Sequence, residues 1–182
     1  MVERHGAPPS WDDRLVVQVS RWDPLKDPVG VVRGFTEYLK SNESDVGTQL
    51  VLAGPDVKAI PDDIEQGQVY ADTSAAVKEL PDGIRQRIHL ACLPMDDLQE
   101  NAAIVNALQT HATVVVQKSL REGFGLTVTE AMWKSRPTLA SAVGGILDQI
   151  EDGVDGLLIQ DPKDPVEFAS LLAILLQDGD RA

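Results

Sequence analysis

A chain of 182 residues, 43% hydrophobic and 25% charged, has ordinary globular composition and is long enough to bury one core. A formal net charge of −13 argues against nucleic acid as a partner and against attraction to an anionic membrane, since phosphate surfaces are bound by clustered Lys and Arg. The longest apolar stretches fall far short of the roughly 20 residues of a membrane span. Glu3, Arg4 and His5 stand where a signal peptide would turn apolar, and one cysteine, Cys92, cannot form an internal disulfide. The expectation is a soluble, cytoplasmic protein in which a few placed cations hold any phosphate ligand.

In chain order, short β-branched runs alternate with amphipathic ones. Residues 1–14 read as a lead-in, and 15–182 as one Rossmann-like domain. Leu15–Ser20 is a first strand, nearly continuous in apolar residues as a strand covered on both faces should be. A helix follows from Pro28 to about Asn42, capped by Asp27, with Val32, Phe35 and Leu39 as its buried stripe. Gln49–Ala53 is a second strand. The segment 56–81 is mostly polar, with helix expected only near Ser74–Leu80. Arg87–Ala91 is a third strand, and Asp96 or Asp97 opens a helix with Leu98, Ala102, Val105 and Leu108 inward. Thr113–Gln117 is a fourth strand, followed by a glycine-containing turn and a helix ending near Lys134. Thr138–Ser141 is a fifth, leading through Gly144-Gly145 into a short helix ending at Ile150. Two Asp-Gly turns precede a sixth strand at Leu157–Ile159, and Asp164-Pro165-Val166-Glu167 opens a last helix with a capping-box pattern. This alternation predicts an α/β fold: a parallel sheet flanked by helices, with its ligand crevice at the carboxyl ends of the strands.

Three post-strand segments converge there: Ser20–Asp27, Ser119–Ala131 and Val143–Ile146. Arg21 and Lys26, at the entrance to a helix, suit a diphosphate; the alternative is a solvated loop in which they pair with Asp23 and Asp27. Glu122 and Glu130 are separated by a segment containing Gly123 and Gly125, whose loop amides from Gly123 to Leu126 can face a sugar or phosphate. A carboxylate suits neighbouring sugar hydroxyls because each oxygen accepts from one of them. Against this, Glu122 could be a surface charge, and Thr127-x-x-Glu130 could be a capping box. Trp22 and Trp133 read as packing aromatics rather than sugar platforms. His89 and Cys92 lack a second ligand pair, so no metal site is expected.

Ser20, Arg21 and Lys26, together with Glu122 and Glu130, resemble the Ser-Arg-x4-Lys and Glu-x7-Glu motifs of the retaining glycosyltransferases built from two Rossmann-like domains, the GT-B architecture. The likeness runs from about Leu15 to the C-terminus and includes Gly144-Gly145-Ile146 and the 152–157 segment. Within that family, Val116–Gly125 and Ala131–Lys134 are most similar to trehalose synthases and retaining trehalose phosphorylases. The resemblance implies that Arg21 and Lys26 hold the donor diphosphate and that Glu130 binds the nucleotide ribose. It places Glu122 at the transferred sugar, with Gly123, Phe124, Gly125, Leu126 and Gly145 offering backbone contacts and the Leu93-Pro94 region meeting the base. The implied partner is ADP-, UDP- or GDP-glucose, no cofactor or metal is needed, and an N-terminal acceptor domain would be missing from this chain. Retention would proceed by front-face displacement, with the leaving phosphate helping to deprotonate the acceptor.

The competing expectations are a phosphorylase using glucose 1-phosphate and a sugar-nucleotide-binding module without activity of its own. A nicotinamide dehydrogenase is disfavoured because Arg21-Trp22-Asp23 follows the first strand in place of a Gly-x-Gly-x-x-Gly turn. A P-loop nucleotidase is excluded by the missing phosphate-loop motif.

Overall fold

The computed structural model describes residues 2–59 and 63–178. Its strands are β1 (Val2–Arg4), β2 (Arg14–Val19), β3 (Thr48–Pro55), β4 (Ile88–Leu93), β5 (Val114–Gln117), β6 (Thr138–Ser141) and β7 (Leu157–Ile159). Its helices are α1 (Pro28–Ser41), α2 (Ile64–Lys78), α3 (Asp82–Arg85), α4 (Leu98–His111), α5 (Leu126–Trp133) and α6 (Pro165–Asp178), with 3₁₀ turns at Pro24–Lys26 and Gly144–Ile146.

The strands form one sheet in the order β1-β4-β3-β2-β5-β6-β7. Every pairing is parallel except that of β1 with β4. Counted from β2, the parallel strands stand in the order 3-2-1-4-5-6 of a doubly wound sheet. The order reverses between β2 and β5, so the loops leaving those strands part and open a crevice at their carboxyl ends.

Alternation along the strands sorts the core into two faces. Val16, Leu50, Leu52, Ile88, Leu90, Val114, Val116 and Leu139 meet Phe35 and Leu39 of α1, Val77 of α2, and Phe168 and Leu172 of α6. Val17, Val51, Ala53, Ala91, Leu93 and Val115 meet Ile104, Val105 and Leu108 of α4 and Ala131 of α5. Strands buried on both sides must be apolar at nearly every position, which is why the sequence pattern is continuous there.

Several elements differ from the sequence reading. The stretch 1–14 contains β1, which extends the sheet by pairing Val2 with Ala91 and Arg4 with His89. Helix α2 is far longer than the helix expected near Ser74–Leu80, and it buries the polar Gln66, Thr73 and Ser74 beside Val77 while packing Val69 and Tyr70 against the core; residues 60–62 of that segment lie outside the described ones. In α4, capped by Asp97, Leu98 and Ala102 face outward and the inward stripe begins at Ile104. The helix expected to end at Ile150 is only the 3₁₀ turn. Asp164 caps α6 through the Val166 amide, but Glu167 accepts from the amides of Gln160 and Asp161 instead of closing a box. Trp22 packs in the core, with its indole N–H on Pro55 O at 2.9 Å, whereas Trp133 is 89% exposed.

The opposite, amino end of the sheet is tied together by Asp45. Its carboxylate takes Arg14 and Arg87, each at 3.0 Å, the hydroxyls of Tyr38 and Thr48, and the amides of Gly47 and Thr48, both at 3.0 Å. Burial raises its pKa, but the hydrogen bonds from Thr48 and Tyr38 and the Arg14 charge outweigh that and hold it well below the carboxylate range. The same burial and the Asp45 bond push the Tyr38 phenol up to about 12.

Candidate active site

Two loops build the site, one after β2 and one after β5. In the first, the Asp23 side chain accepts from the Leu25 amide at 2.8 Å and caps the 3₁₀ turn that presents Lys26. Asp27 then takes a left-handed conformation, φ 43° and ψ 54°, which closes that turn and lets its carboxylate cap α1 at the Gly30 amide, 3.0 Å away. Asp tolerates this backbone better than most residues. Arg21 is exposed and pairs with Asp23 at 2.7 Å.

In the second loop, Glu122 is the centre. Its Oε2 accepts from the Lys26 ammonium, from Ser119 Oγ at 3.2 Å and from Gln117 Nε2 at 3.3 Å, while Oε1 accepts from the Gly123 amide at 3.1 Å. The Glu122 side chain is 12% exposed and that of Lys26 18%. Burial pushes the Glu122 pKa up, yet the Lys26 bond and charge, the Gly123 amide and Ser119 prevail and lower it. The carboxylate is therefore ionised at neutral pH, and Lys26 has a counter-ion in place.

Arg21, Asp23, Leu25, Lys26, Arg121, Glu122 and Gly123 line an open pocket of about 440 Å³. Three cations face two carboxylates, a local excess of positive charge on a chain of net −13. A larger depression, about 680 Å³, lies near Pro137 and Leu157; in the pocket between the two loops, charged side chains from two post-strand segments meet.

The remaining expected residues are not part of its lining. Phe124 and Leu126 are exposed. Gly125, at φ 90°, is the N-cap of α5, which has no side-chain cap, so the first-turn amides of that helix have no side-chain acceptor there. Gly145 gives its N–H to Gly123 O at 2.9 Å. A Cβ there would lie 2.5 Å from Gly123 O, and one on Gly144 only 1.8 Å from Glu122 O, so the post-β6 glycines let that loop lie directly against the Glu122 segment. Glu130 is exposed on α5 and accepts from Gln109 Nε2 of α4 at 3.0 Å. With Gly125 as the N-cap, Thr127 is inside the helix and the capping-box alternative for Glu130 does not form.

The solvated-loop alternative holds for Arg21 alone. Lys26 bonds to Glu122 across 96 residues of sequence, and Asp27 pairs with Lys118. Sequence reasoning passed over two residues, Arg121 in the pocket lining and Lys118 beneath it. Adjacency to Glu122 was the available signal for Arg121; a lysine directly following a buried strand was the signal for Lys118. Among the described residues, no group of three or more His, Cys, Asp or Glu side chains could hold a metal ion, and no helix is long and apolar enough to cross a membrane.

A doubly wound sheet with cations and an ionised carboxylate gathered at its switch point is the arrangement expected of one half of the GT-B architecture. The chain belongs to the family described as Glycosyl transferases group 1, which it matches over residues 6–182. It is 42% identical over 170 residues to a trehalose synthase of Rubrobacter xylanophilus, covering 92% of this chain and 36% of that protein. It is 33% identical over 177 residues to a trehalose phosphorylase of Grifola frondosa, covering 93% of this chain and 23% of that protein. The chain thus spans about a third or less of the length of these relatives. Among solved structures, sucrose-phosphate synthase from Thermosynechococcus elongatus superposes with a TM-score of 0.70 at 25% identity, over 94% of this chain and 38% of that one. Anabaena HepE in complex with UDP superposes with a TM-score of 0.70 at 19% identity, over 92% of this chain and 40% of that one.

Proposed function

We propose that this chain is the donor-binding domain of a retaining glycosyltransferase that moves glucose from a nucleotide-sugar to a sugar acceptor, glucose itself, to form trehalose. The observation that carries this is the meeting of Arg21, Lys26, Arg121 and Glu122 in one open pocket at the switch point. Arg21 and Lys26 hold the donor diphosphate, as a planar fork and a point charge. Lys26 leaves Glu122 for the phosphate as donor binds, and Glu122 then accepts from the glucosyl hydroxyls, with the Gly123–Leu126 segment supplying backbone contacts. Glu130 binds the ribose, and the post-β6 loop at Gly145 holds the Glu122 segment in place.

In transfer, the bond from the anomeric carbon to the phosphate oxygen breaks and a bond to the acceptor oxygen forms on the same face. The acceptor proton passes to the departing diphosphate. Electrostatic stabilisation of that leaving group by Arg21 and Lys26 is the chain's contribution to rate. Closure against an acceptor-binding domain would supply the positioning, which can be worth roughly 7–11 kcal/mol. This chain alone is therefore expected to bind donor and release no trehalose.

A second reading, a phosphorylase domain that binds glucose 1-phosphate, is favoured by the Grifola frondosa match. Calorimetric titration with ADP-, UDP- and GDP-glucose and with glucose 1-phosphate separates the two. Binding of one nucleotide-glucose but not of glucose 1-phosphate supports the transferase, and the reverse supports the phosphorylase.

A further inference from the structure

Below the pocket floor, three contacts lace the loop after β2 to the loop after β5, and the groups that make them are not those assigned to the ligand. Gln18, fully buried near the end of β2, donates from Nε2 to Lys26 O at 2.9 Å and accepts at Oε1 from the Lys118 amide at 3.0 Å. The Leu120 amide donates to Leu25 O at 2.8 Å. The third contact is ionic: the Lys118 ammonium, on a side chain 2% exposed, lies on Asp27 Oδ2.

A lysine this deep is expensive unless paired, and an apolar side chain of the same length would fill the space without that cost. The surroundings are cut to fit the pair. A Cβ on Gly30 would stand 2.3 Å from the Lys118 nitrogen and 2.0 Å from Asp27 Oδ2, so position 30 is kept clear. Asp27 is one of two non-glycine residues at positive φ among the described ones, and it directly follows Lys26. Its carboxylate, left bare, would also repel an anion approaching Lys26. Lys118 cancels that charge from below, where it cannot itself reach the ligand.

We propose that Lys118 is a positioning residue for the anion site. Its ammonium fixes the left-handed Asp27 and neutralises it, and so sets the direction in which Lys26 presents its charge to a diphosphate. This rests on the reading of Lys26 as a diphosphate contact.

The test compares the parent chain with Lys118→Met and Asp27→Asn. Asn keeps the α1 cap and tolerates the left-handed backbone, so it carries the test if the Met variant does not fold. Inorganic pyrophosphate is the probe, titrated calorimetrically, with amide hydrogen exchange read at Leu120 and at Val115 and Val116. Lys118→Met, which leaves the Asp27 carboxylate bare, is expected to lose about tenfold in pyrophosphate affinity; Asp27→Asn, which loses the tie to Lys118 but also the repelling charge, is expected to lose less than that. Leu120 should exchange faster while Val115 and Val116 keep the parent rate, because only the lacing has opened. A lower melting temperature with unchanged pyrophosphate affinity would make Lys118 merely structural and overturn the proposal. If the parent itself binds no pyrophosphate, the Lys26 reading falls and takes this inference with it.

Discussion

Asp45 and Glu122 are both shielded carboxylates with lowered pKa values, one at each end of the sheet, and they are held in different ways. Asp45 is gripped by two backbone amides, two guanidinium groups and two hydroxyls that belong to the starts of β2 and β3, the end of α1 and the residue before β4. Its partners are anchored on four elements that converge at that end of the sheet. Glu122 is held by one amide and by Lys26, Ser119 and Gln117, none of which depends on it for its own fold. A ligand phosphate can take Lys26 and a sugar hydroxyl can take its place on Glu122. Saturation with fixed donors makes a staple; saturation with exchangeable ones makes a site waiting for an anion.

Asp45→Ala leaves Arg87 and Arg14 without their anion and should cost about 3 kcal/mol, a fall in melting temperature of roughly 6–12 °C for a domain of this size. Pyrophosphate binding by the folded protein should be unchanged. The pH dependence has a definite sign. The folded Asp45 pKa lies below the unfolded value, so its contribution is present above about pH 4 and drains away as the pH falls toward the folded value. Melting scans should show the parent losing stability through that acid window and Asp45→Asn, already weaker at neutral pH, losing less.

Glu130→Ala acts at the other end. Loss of a charged acceptor should weaken nucleotide-glucose binding by about 1.5–3 kcal/mol, or roughly 10- to 150-fold. Stability should fall only modestly, because exposed Glu130 caps nothing but accepts from Nε2 of the buried Gln109. A drop in melting temperature with intact binding would return it to a structural role. The smallest expected effect is also the most specific. Glu122→Gln releases Lys26 from its internal counter-ion, and a pair of this kind is worth up to about 1 kcal/mol. Inorganic pyrophosphate should bind roughly threefold tighter, while nucleotide-glucose gains nothing because the sugar loses its acceptor. Weaker pyrophosphate binding would mean that Glu122 orients Lys26 rather than competing for it.

Local signals were legible in the sequence where one element sufficed to make them. The Asp27-Pro28 start and the Val32, Phe35, Leu39 stripe predicted α1 to within a residue at its end. The apolar and β-branched runs predicted all six parallel strands to within two residues, and the glycine turn after β5 put Glu122 in a loop and Glu130 on the following helix. Features made by two distant segments were not legible. β1 is three residues, too few for a periodicity, and exists only because β4 offers an edge. α2 buries polar side chains, so no apolar stripe marked its first half. The exchange of partners between Lys26 and Lys118 depends on which of two nearby acids each lysine can reach once the β2 and β5 loops face each other. Spacing along the chain suggested Asp23 and Asp27 because they were near in sequence; the sheet order set Glu122 nearer in space.

On this reading the switch-point end of the sheet takes the donor and the Asp45 end does not. Backbone amide chemical-shift mapping on titration with ADP-, UDP- and GDP-glucose tests this directly. One of these is expected to shift the amides of residues 20–27, 118–126 and 143–147 together and saturably, with those of residues 45–48 and 87 unmoved. Shifts centred on the Asp45 end, or none with any of the three sugars, would contradict it.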